Sequence, residues 1–406
     1  MLMLPTEILE EIIDIISQND EYFSSTKKCS LVCREFLPIC RKRIFASVAL
    51  TYHVGRAVKR FQVRTQRMTP DKFTKLFASA PEIADYVRDF RLDGGVADSP
   101  SIVQSLTRIT RLRRLTFVGF GSTSTIEWKT DAALRPVFLH LSHLSTLVSL
   151  TIYSVREFAL ADLPPKIPAL HFEDTTFDRT PSSLPSSSIA LRTLTIKDGS
   201  GSMISQLPAV QSADGKLVIE FDGILHLFLQ LGHPQPRKIE GVLHLLALCK
   251  NLVRVKIKAN PHRSTVLFEG LYDALSPSLP SLRHLNLEAV LAPNDDVDPY
   301  HGIIDEIAKM GNRNVIETIT INMNIPSRLQ QIYRDECRRF DEVLTETSWP
   351  YLKRVVLNIF STRIVFRENE NHDNQKRLTN YLLTQFRVLS LRESLDFTVK
   401  VYTDDM

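Results

Sequence analysis

The feature that most constrains the fold is a recurring pattern of one apolar residue, two variable ones, an apolar residue, one variable residue and a third apolar one. It occurs at Val87-Phe90-Leu92, Leu112-Leu115-Phe117, Leu147-Leu150-Ile152, Ile167-Leu170-Phe172, Leu191-Leu194-Ile196, Leu252-Val255-Ile257, Leu282-Leu285-Leu287, Ile316-Ile319-Ile321 and Leu352-Val355-Leu357. With 43% hydrophobic residues, three fixed apolar positions arise by chance in about one window in twelve, so a single copy carries little. The context carries more. Ile102, Leu106 and Ile109 form a helical stripe ahead of Leu112, and Val242, Leu245, Leu246 and Cys249 do the same ahead of Leu252. Tyr272, Leu275 and Leu279 precede Pro280-Ser281-Leu282, and a stripe from Leu329 to Leu344 precedes Pro350-Tyr351-Leu352. Helix, break and short alternating strand then repeat along the chain, which predicts an α/β fold with parallel strands. The spacings from Val87 onward run 25, 35, 20, 24, 61, 30, 34 and 36. The long gap contains Leu217-Val218-Ile219-Glu220-Phe221, read as one more strand.

Composition narrows the functional classes. The chain has 406 residues, enough for two or three domains or one long repeat array. A net charge of +4 gives no whole-chain attraction to nucleic acid. Glycine contributes 14 residues, under the average usage of about 7%, which counts against glycine-built phosphate sites. Five cysteines make no disulfide framework. Acids at Glu7, Glu10, Glu11 and Asp14, with no base before Lys27, are the reverse of a signal-peptide start. The most apolar stretch, Ile219 to Leu231, is interrupted by Glu220, Asp222 and His226. The expectation is a soluble cytoplasmic or nuclear protein with no membrane segment.

The first 46 residues differ from the rest. Ile8, Leu9, Ile12, Ile13 and Ile16 form a helical stripe after Leu4 and Pro5, with proline at the helix start and acids in the first turns. Ser17 to Ser25 reads as a loop. Cys29, Val32, Cys33 and Phe36 form a second stripe, which Pro38 is expected to break. A third short helix over Ile39 to Ile44 leads into an alternating strand at Phe45 to Leu50. Three short helices are near the lower limit of an independent fold.

The strings Leu4-Pro5-x-Glu7-Ile8-Leu9-x-x-Ile12-Ile13, Cys29-Ser30-Leu31-Val32-Cys33-Arg34-x-Phe36-Leu37-Pro38 and Arg41-x-x-Ile44-Phe45 resemble an F-box of the large fungal families. Phe36 stands where tryptophan is common, and the first loop is somewhat long. The helix-break-strand unit is that of a leucine-rich repeat, similar to the repeat half of many F-box proteins, though degenerate. The resemblance implies a three-helix F-box over 1–46, a linker with first helical repeat elements over 47–86, and an irregular leucine-rich-repeat solenoid of alternating helices and short parallel strands over 87–406. It also implies a non-catalytic substrate receptor of a ubiquitin ligase. The F-box binds a Skp1-type adaptor and through it a cullin, and the repeats hold a target protein of unknown identity. The adaptor-facing positions are Leu4, Pro5, Ile8, Leu9, Ile12 and Ile13, then Leu31, Val32, Cys33 and Phe36. A scaffold that keeps an F-box-like cap but joins no ligase is the alternative.

Polar residues inside the strands point to one face of a sheet, which makes Arg113, Arg114, Arg254, Lys256, His284 and Lys353 candidates for target contact. From Arg34 to Lys72 there are ten basic and two acidic residues, suited to a solvated joint between the two parts or to an acidic partner. Thr175 to Ala190 and Ala292 to His301 read as loops, Glu368 to Lys376 as a charged break, Tyr381 to Leu389 as a last helix and Leu395 to Val401 as a last strand. His140-x-x-His143 lacks a third ligand, and no HExxH, CxxC, GxSxG or Walker loop is present. No cofactor, metal, nucleic acid or membrane partner is expected.

Overall fold

The computed structural model describes residues 5–20, 23–51, 65–93, 100–119, 126–128, 134–178, 180, 185, 187–198, 202–212, 215–232, 236–259, 268–290, 302–326, 334–345, 348–362 and 371–403. Leu4 and the loop expected from Ala292 to His301 lie outside them, as do residues 52–64 of the basic stretch. The fold is α/β, with helices alternating with parallel strands, and the chain divides into two compact units.

The first unit comprises Met1–Ile189 and Ser212–Lys216. It opens with helices α1 (Thr6–Gln18), α2 (Ser24–Cys29) and α3 (Phe36–Ile44). Strands β1 (Ser47–Leu50) and β2 (Gln66–Met68), helix α4 (Pro70–Ser79), β3 (Asp89–Asp93), α5 (Pro100–Leu106) and β4 (Arg114–Val118) follow. Then come β5 (Ile126–Glu127), α6 (Leu134–Ser142), β6 (Ser149–Tyr153), β7 (Val155–Arg156) and β8 (Ala169–Glu173). The main ladder runs β2-β1-β3-β4-β6-β8, every pairing parallel.

The second unit comprises Ala190–Gln211 and Leu217–Met406. Its elements are β9 (Thr193–Asp198), α7 (Ser202–Gln206), β10 (His226–Leu231), α8 (Pro236–Leu248), β11 (Arg254–Ala259), α9 (Leu271–Leu275) and β12 (His284–Val290). The series ends with α10 (Ile303–Met310), β13 (Thr318–Pro326), α11 (Arg334–Thr345), β14 (Arg354–Thr362), α12 (Asn371–Gln385), α13 (Arg387–Leu391) and β15 (Asp396–Thr403). Strands β9 to β15 pair in chain order and in parallel.

All nine copies of the apolar pattern become strands, and within each unit they pair in a common register. Leu227, Val255, Leu285, Ile319, Val355 and Phe397 form one cross-strand row, and Leu229, Ile257, Leu287, Ile321, Leu357 and Val399 another. From β10 to β14 both rows are buried under the helices. Because side chains alternate across a strand, the residues between these rows are turned to the opposite face. The strand entries repeat too. The carbonyl of Leu225 accepts the N–H groups of both Val253 and Arg254, that of Val253 accepts those of Arg283 and His284, and that of Arg283 accepts those of Glu317 and Thr318. Glu317 receives Lys353 and Arg354 in the same way.

The structure corrects six readings. Leu217 to Phe221 is not a strand: Leu217 forms an isolated bridge with Gln211, and Phe221–Gly223 is a 3-10 turn. The strand of that gap is β10, whose pattern Ile224-Leu227-Leu229 sits beside His226 and Gln230 in an otherwise apolar run. Cys29 to Phe36 is not one helix, because α2 ends at Cys29 and residues 30–35 are turns apart from Cys33. Pro38 does not break α3, because it lies in the first helical turn, where a missing N–H costs no intrahelical bond. The ladder also starts earlier than Val87, with β1 and β2 already paired inside the segment read as a linker. The charged break is helical from Asn371, and the last helix is split at Phe386 into α12 and α13.

Candidate functional site

The three N-terminal helices enclose a small core of Ile13, Phe23, Ile39, Cys40 and Ile44, with Leu9, Ile16, Cys29, Phe36 and Phe45 packed against it. Asp20 caps α2: its carboxylate accepts the N–H groups of Ser24 and Thr26 at 2.9 Å each. The usual effect of burial, which raises a carboxyl, is outweighed at Asp20 by these bonds from Thr26 and Ser24, so its pKa lies below the ordinary value. Helix α3 is tied to α1 by Lys42 to Glu10 at 3.2 Å and by Arg43 to Asp14 at 2.6 Å. Arg41 reaches Glu82 of the 3-10 turn Pro81–Tyr86 at 2.9 Å, so one helix face joins the bundle to the strands that follow. Of these bases Arg41 spans the bundle and the segment that follows, while Lys42 and Arg43 pair within the bundle.

Helix α1 therefore carries two apolar stripes. Leu9, Ile13 and Ile16 face the core. Ile8, Ile12 and Ile15 occupy the i, i+4 and i+7 positions of a second stripe and are 42%, 38% and 56% exposed. Leu31 and Val32, in the turn after α2, are 84% and 70% exposed. Of the positions expected to meet an adaptor, Pro5, Ile8, Ile12, Leu31 and Val32 are at the surface, and Leu9, Cys33 and Phe36 are half-buried. Ile13 is wholly buried and acts as a core residue instead. Ile15 is a surface residue that the sequence pattern passed over, although its spacing of seven from Ile8 marks it.

The second group of candidates lies along the strands. Arg113 and Lys353 each stand one residue before a strand and are exposed, so they are entry residues and not strand residues. Arg114 opens β4 and donates to both oxygens of Asp89 on β3 at 2.7 and 2.6 Å. Lys353 donates to Glu317 at 3.0 Å, and Arg283 to the same carboxylate at 2.8 Å. Those bonds, chiefly the one from Lys353, hold Glu317 below the usual carboxylate range. Arg254 and His284 open adjacent strands in register, with His226 on the other side of Arg254. Burial first, and then the Arg254 charge, pushes both histidines below their ordinary pKa. Lys256 lies 3.8 Å from Glu288, which Lys258 approaches to 2.5 Å.

Three features of this face were not singled out in the sequence. Asn286, Asn322 and Asn358 form a side-chain amide chain. Arg67 and Arg91 flank Ala49 in register on β2, β1 and β3. A cavity of about 140 Å³ opens on this part of the face, lined by Ser47, Arg67, Arg91, Arg114 and Thr151 among others. Arg91 follows Phe90 at an alternating position of the first copy, which is the signal that could have found it. Gln66-Arg67-Met68 carries no copy of the pattern.

Among the described residues no group of three His, Cys, Asp or Glu side chains could hold a metal ion. His143 contacts the Leu139 carbonyl of the preceding turn at 2.9 Å, while His140 has a buried Nε2 with no partner. No described helix is long and apolar enough to cross a membrane. No protein-family model matches the chain, and no curated protein matches it in sequence.

Proposed function

We propose that this chain is the substrate receptor of a Skp1–cullin ubiquitin ligase, with an F-box formed by α1 to α3 and a leucine-rich-repeat solenoid formed by the strand-helix units. The observation that carries the reading is the second stripe on α1. Ile8, Ile12 and Ile15 stay exposed, as do Leu31 and Val32, although the bundle already has its own core. An exposed apolar stripe at i, i+4 and i+7 of one helix is the form a helix-in-groove contact takes. Fully burying an exposed isoleucine contributes roughly 1.5–3 kcal/mol, and since these three are 38–56% exposed, docking would add about half of that for each. The chain would act by proximity. The bundle is held by the adaptor, the polar strand faces hold a target protein, and the Arg41–Glu82 joint fixes one to the other. No residue of the chain takes part in the chemistry of ubiquitin transfer.

The test is co-expression of the full chain with a Skp1-type adaptor, read by size-exclusion co-elution, beside the Ile12→Asp variant. The wild type should co-elute. The variant should lose at least about 100-fold in affinity, because docking would bury an unpaired charge, while its circular dichroism stays unchanged. A folded wild type that does not co-elute would leave the scaffold reading in front. Co-elution that survives Ile12→Asp would move the contact away from this stripe.

A further inference from the structure

We propose that the polar face of β11 binds an extended acidic segment of the target protein, one with carboxylates at alternate residues. The proposal rests on the reading of the polar strand faces as the surface that holds a target, and it adds the chemistry of what is held. Strand β11 presents Arg254, Lys256 and Lys258 on one face, while Val255, Ile257 and Ala259 are buried on the other. Alternation along a parallel strand sets neighbouring bases of this line about 6.6 Å apart. An extended peptide has the same period, so acids at i and i+2 fall at the spacing of two of these bases.

Charge decides which two. Lys258 pairs with Glu288 at 2.5 Å, and Lys256 stands 3.8 Å from the same carboxylate, so two lysines share one acid. Arg254 is exposed and has no ion pair among the described residues. Glu317, whose charge reaches the neighbouring His284, is already held by Lys353 and Arg283. The residues in register with the three bases are His226, Phe228 and Gln230 on β10, and His284, Asn286 and Glu288 on β12. Three bases against the one carboxylate of these rows leave two positive charges in excess, at Arg254 and Lys256. His226 and His284 flank Arg254, and burial together with the Arg254 charge holds both below their ordinary pKa. At neutral pH they stand beside it as uncharged imidazoles. The Arg254 fork matches one planar carboxylate and the Lys256 ammonium takes the next. Phe228, half-buried and in register with Lys256, offers an apolar surface to the methylene stems of the bound side chains.

The test is fluorescence anisotropy of a labelled peptide carrying Glu-Thr-Glu between Gly and Ser residues, titrated with the full chain at low salt. Binding should be saturable. The same peptide with both acids as Gln should bind at least about tenfold more weakly, and one with the two acids adjacent about fivefold more weakly. Arg254→Gln and Lys256→Gln should each cost about fivefold, the upper range for one exposed ion pair. The ladder bonds of β11 are main-chain, so both variants keep them. Glu288→Gln removes the rival carboxylate and should tighten binding by about fivefold. No saturable binding by the folded wild type, equal binding of either control peptide, full affinity in Arg254→Gln, or weaker binding in Glu288→Gln would each overturn the proposal. Displacement of the peptide by oligothymidylate at a lower concentration than by unlabelled peptide would overturn it in favour of a nucleic acid. The adaptor takes no part in this titration. Peptide binding without adaptor co-elution would make the acidic segment the ligand of a scaffold, and adaptor co-elution without peptide binding would remove this inference alone.

Discussion

Asn358 donates its side-chain amide to Oδ1 of Asn322 at 2.7 Å, and the two stand in register on β14 and β13. Asn322 in turn donates to Oδ1 of Asn286 at 3.1 Å, diagonally across to β12. The chain links three strands through side chains as well as backbone, and its middle member is buried. Asn322→Ala removes both bonds and strands two partner groups, so it should cost roughly 1–3 kcal/mol in urea unfolding. A loss below about 0.5 kcal/mol would mean that the amides are as well satisfied by water.

Thiol chemistry should divide the N-terminal bundle. Burial pushes the Cys40 thiol up to about 11 and the Cys249 thiol up to about 12, whereas Cys29 and Cys33 are partly exposed. Iodoacetamide near pH 8 should therefore label Cys29 and Cys33 in the native protein, and leave Cys40 and Cys249 until denaturant is added. Peptide mass mapping reads this directly. Adding the adaptor should slow labelling at Cys33, and an unchanged rate there would place the docking face elsewhere.

Acid should loosen the bundle through Asp20. A carboxyl whose folded pKa is depressed stabilises the fold above its unfolded value, and that contribution fades as pH falls through the folded value. Asp20→Asn should be less stable than wild type at neutral pH by about 0.5–2 kcal/mol, the usual range for a lost helix cap. The gap should begin to narrow as the pH drops below the ordinary 3.8 and vanish below the depressed folded value. Urea melts of both proteins at neutral and acid pH would decide it, and a gap independent of pH would assign the effect to packing.

Gly241 is a site where helix propensity and packing predict opposite signs. Alanine is about 1 kcal/mol better than glycine inside a helix. A Cβ at Gly241, however, would sit 2.7 Å from the Ser205 Cα of α7, and backbone cannot swing aside as a side-chain tip can. Gly241→Ala should therefore destabilise by about 1–3 kcal/mol. Stabilisation in thermal denaturation would show that α7 and α8 have room to separate.

The strand ladder was the most legible part of the chain because two rows of apolar residues must be buried together, and that requirement is written at fixed spacing. Ile224-Leu227-Leu229 escaped notice because it lies in a longer apolar run, Ile219 to Leu231, where no contrast marks the register. Around Cys29 to Phe36 helical spacing was present without a helix. Leu31 and Val32 are exposed there, so apolar periodicity coincided with a turn that buries little. The two stripes of α1 were indistinguishable in sequence, since isoleucine at 12 and at 13 reads alike until the core on one side is filled. The cavity was not legible at all. It depends on Arg67, Ala49 and Arg91 falling into register, a relation between segments that are far apart in the chain.

The strand entries have a consequence for how such a chain can change. Each acceptor carbonyl, at Leu225, Val253, Arg283 and Glu317, receives two N–H groups of the next strand's entry, and it does so through main chain alone. The main-chain part of the coupling between neighbouring strands is therefore blind to side-chain identity at the entry. Residues such as Arg254, His284 and Thr318 can be exchanged without touching the bonds that hold the strands together. The same device makes one strand-helix module equivalent to the next as a mechanical part, so whole modules can be duplicated or excised while the polar face is rewritten separately.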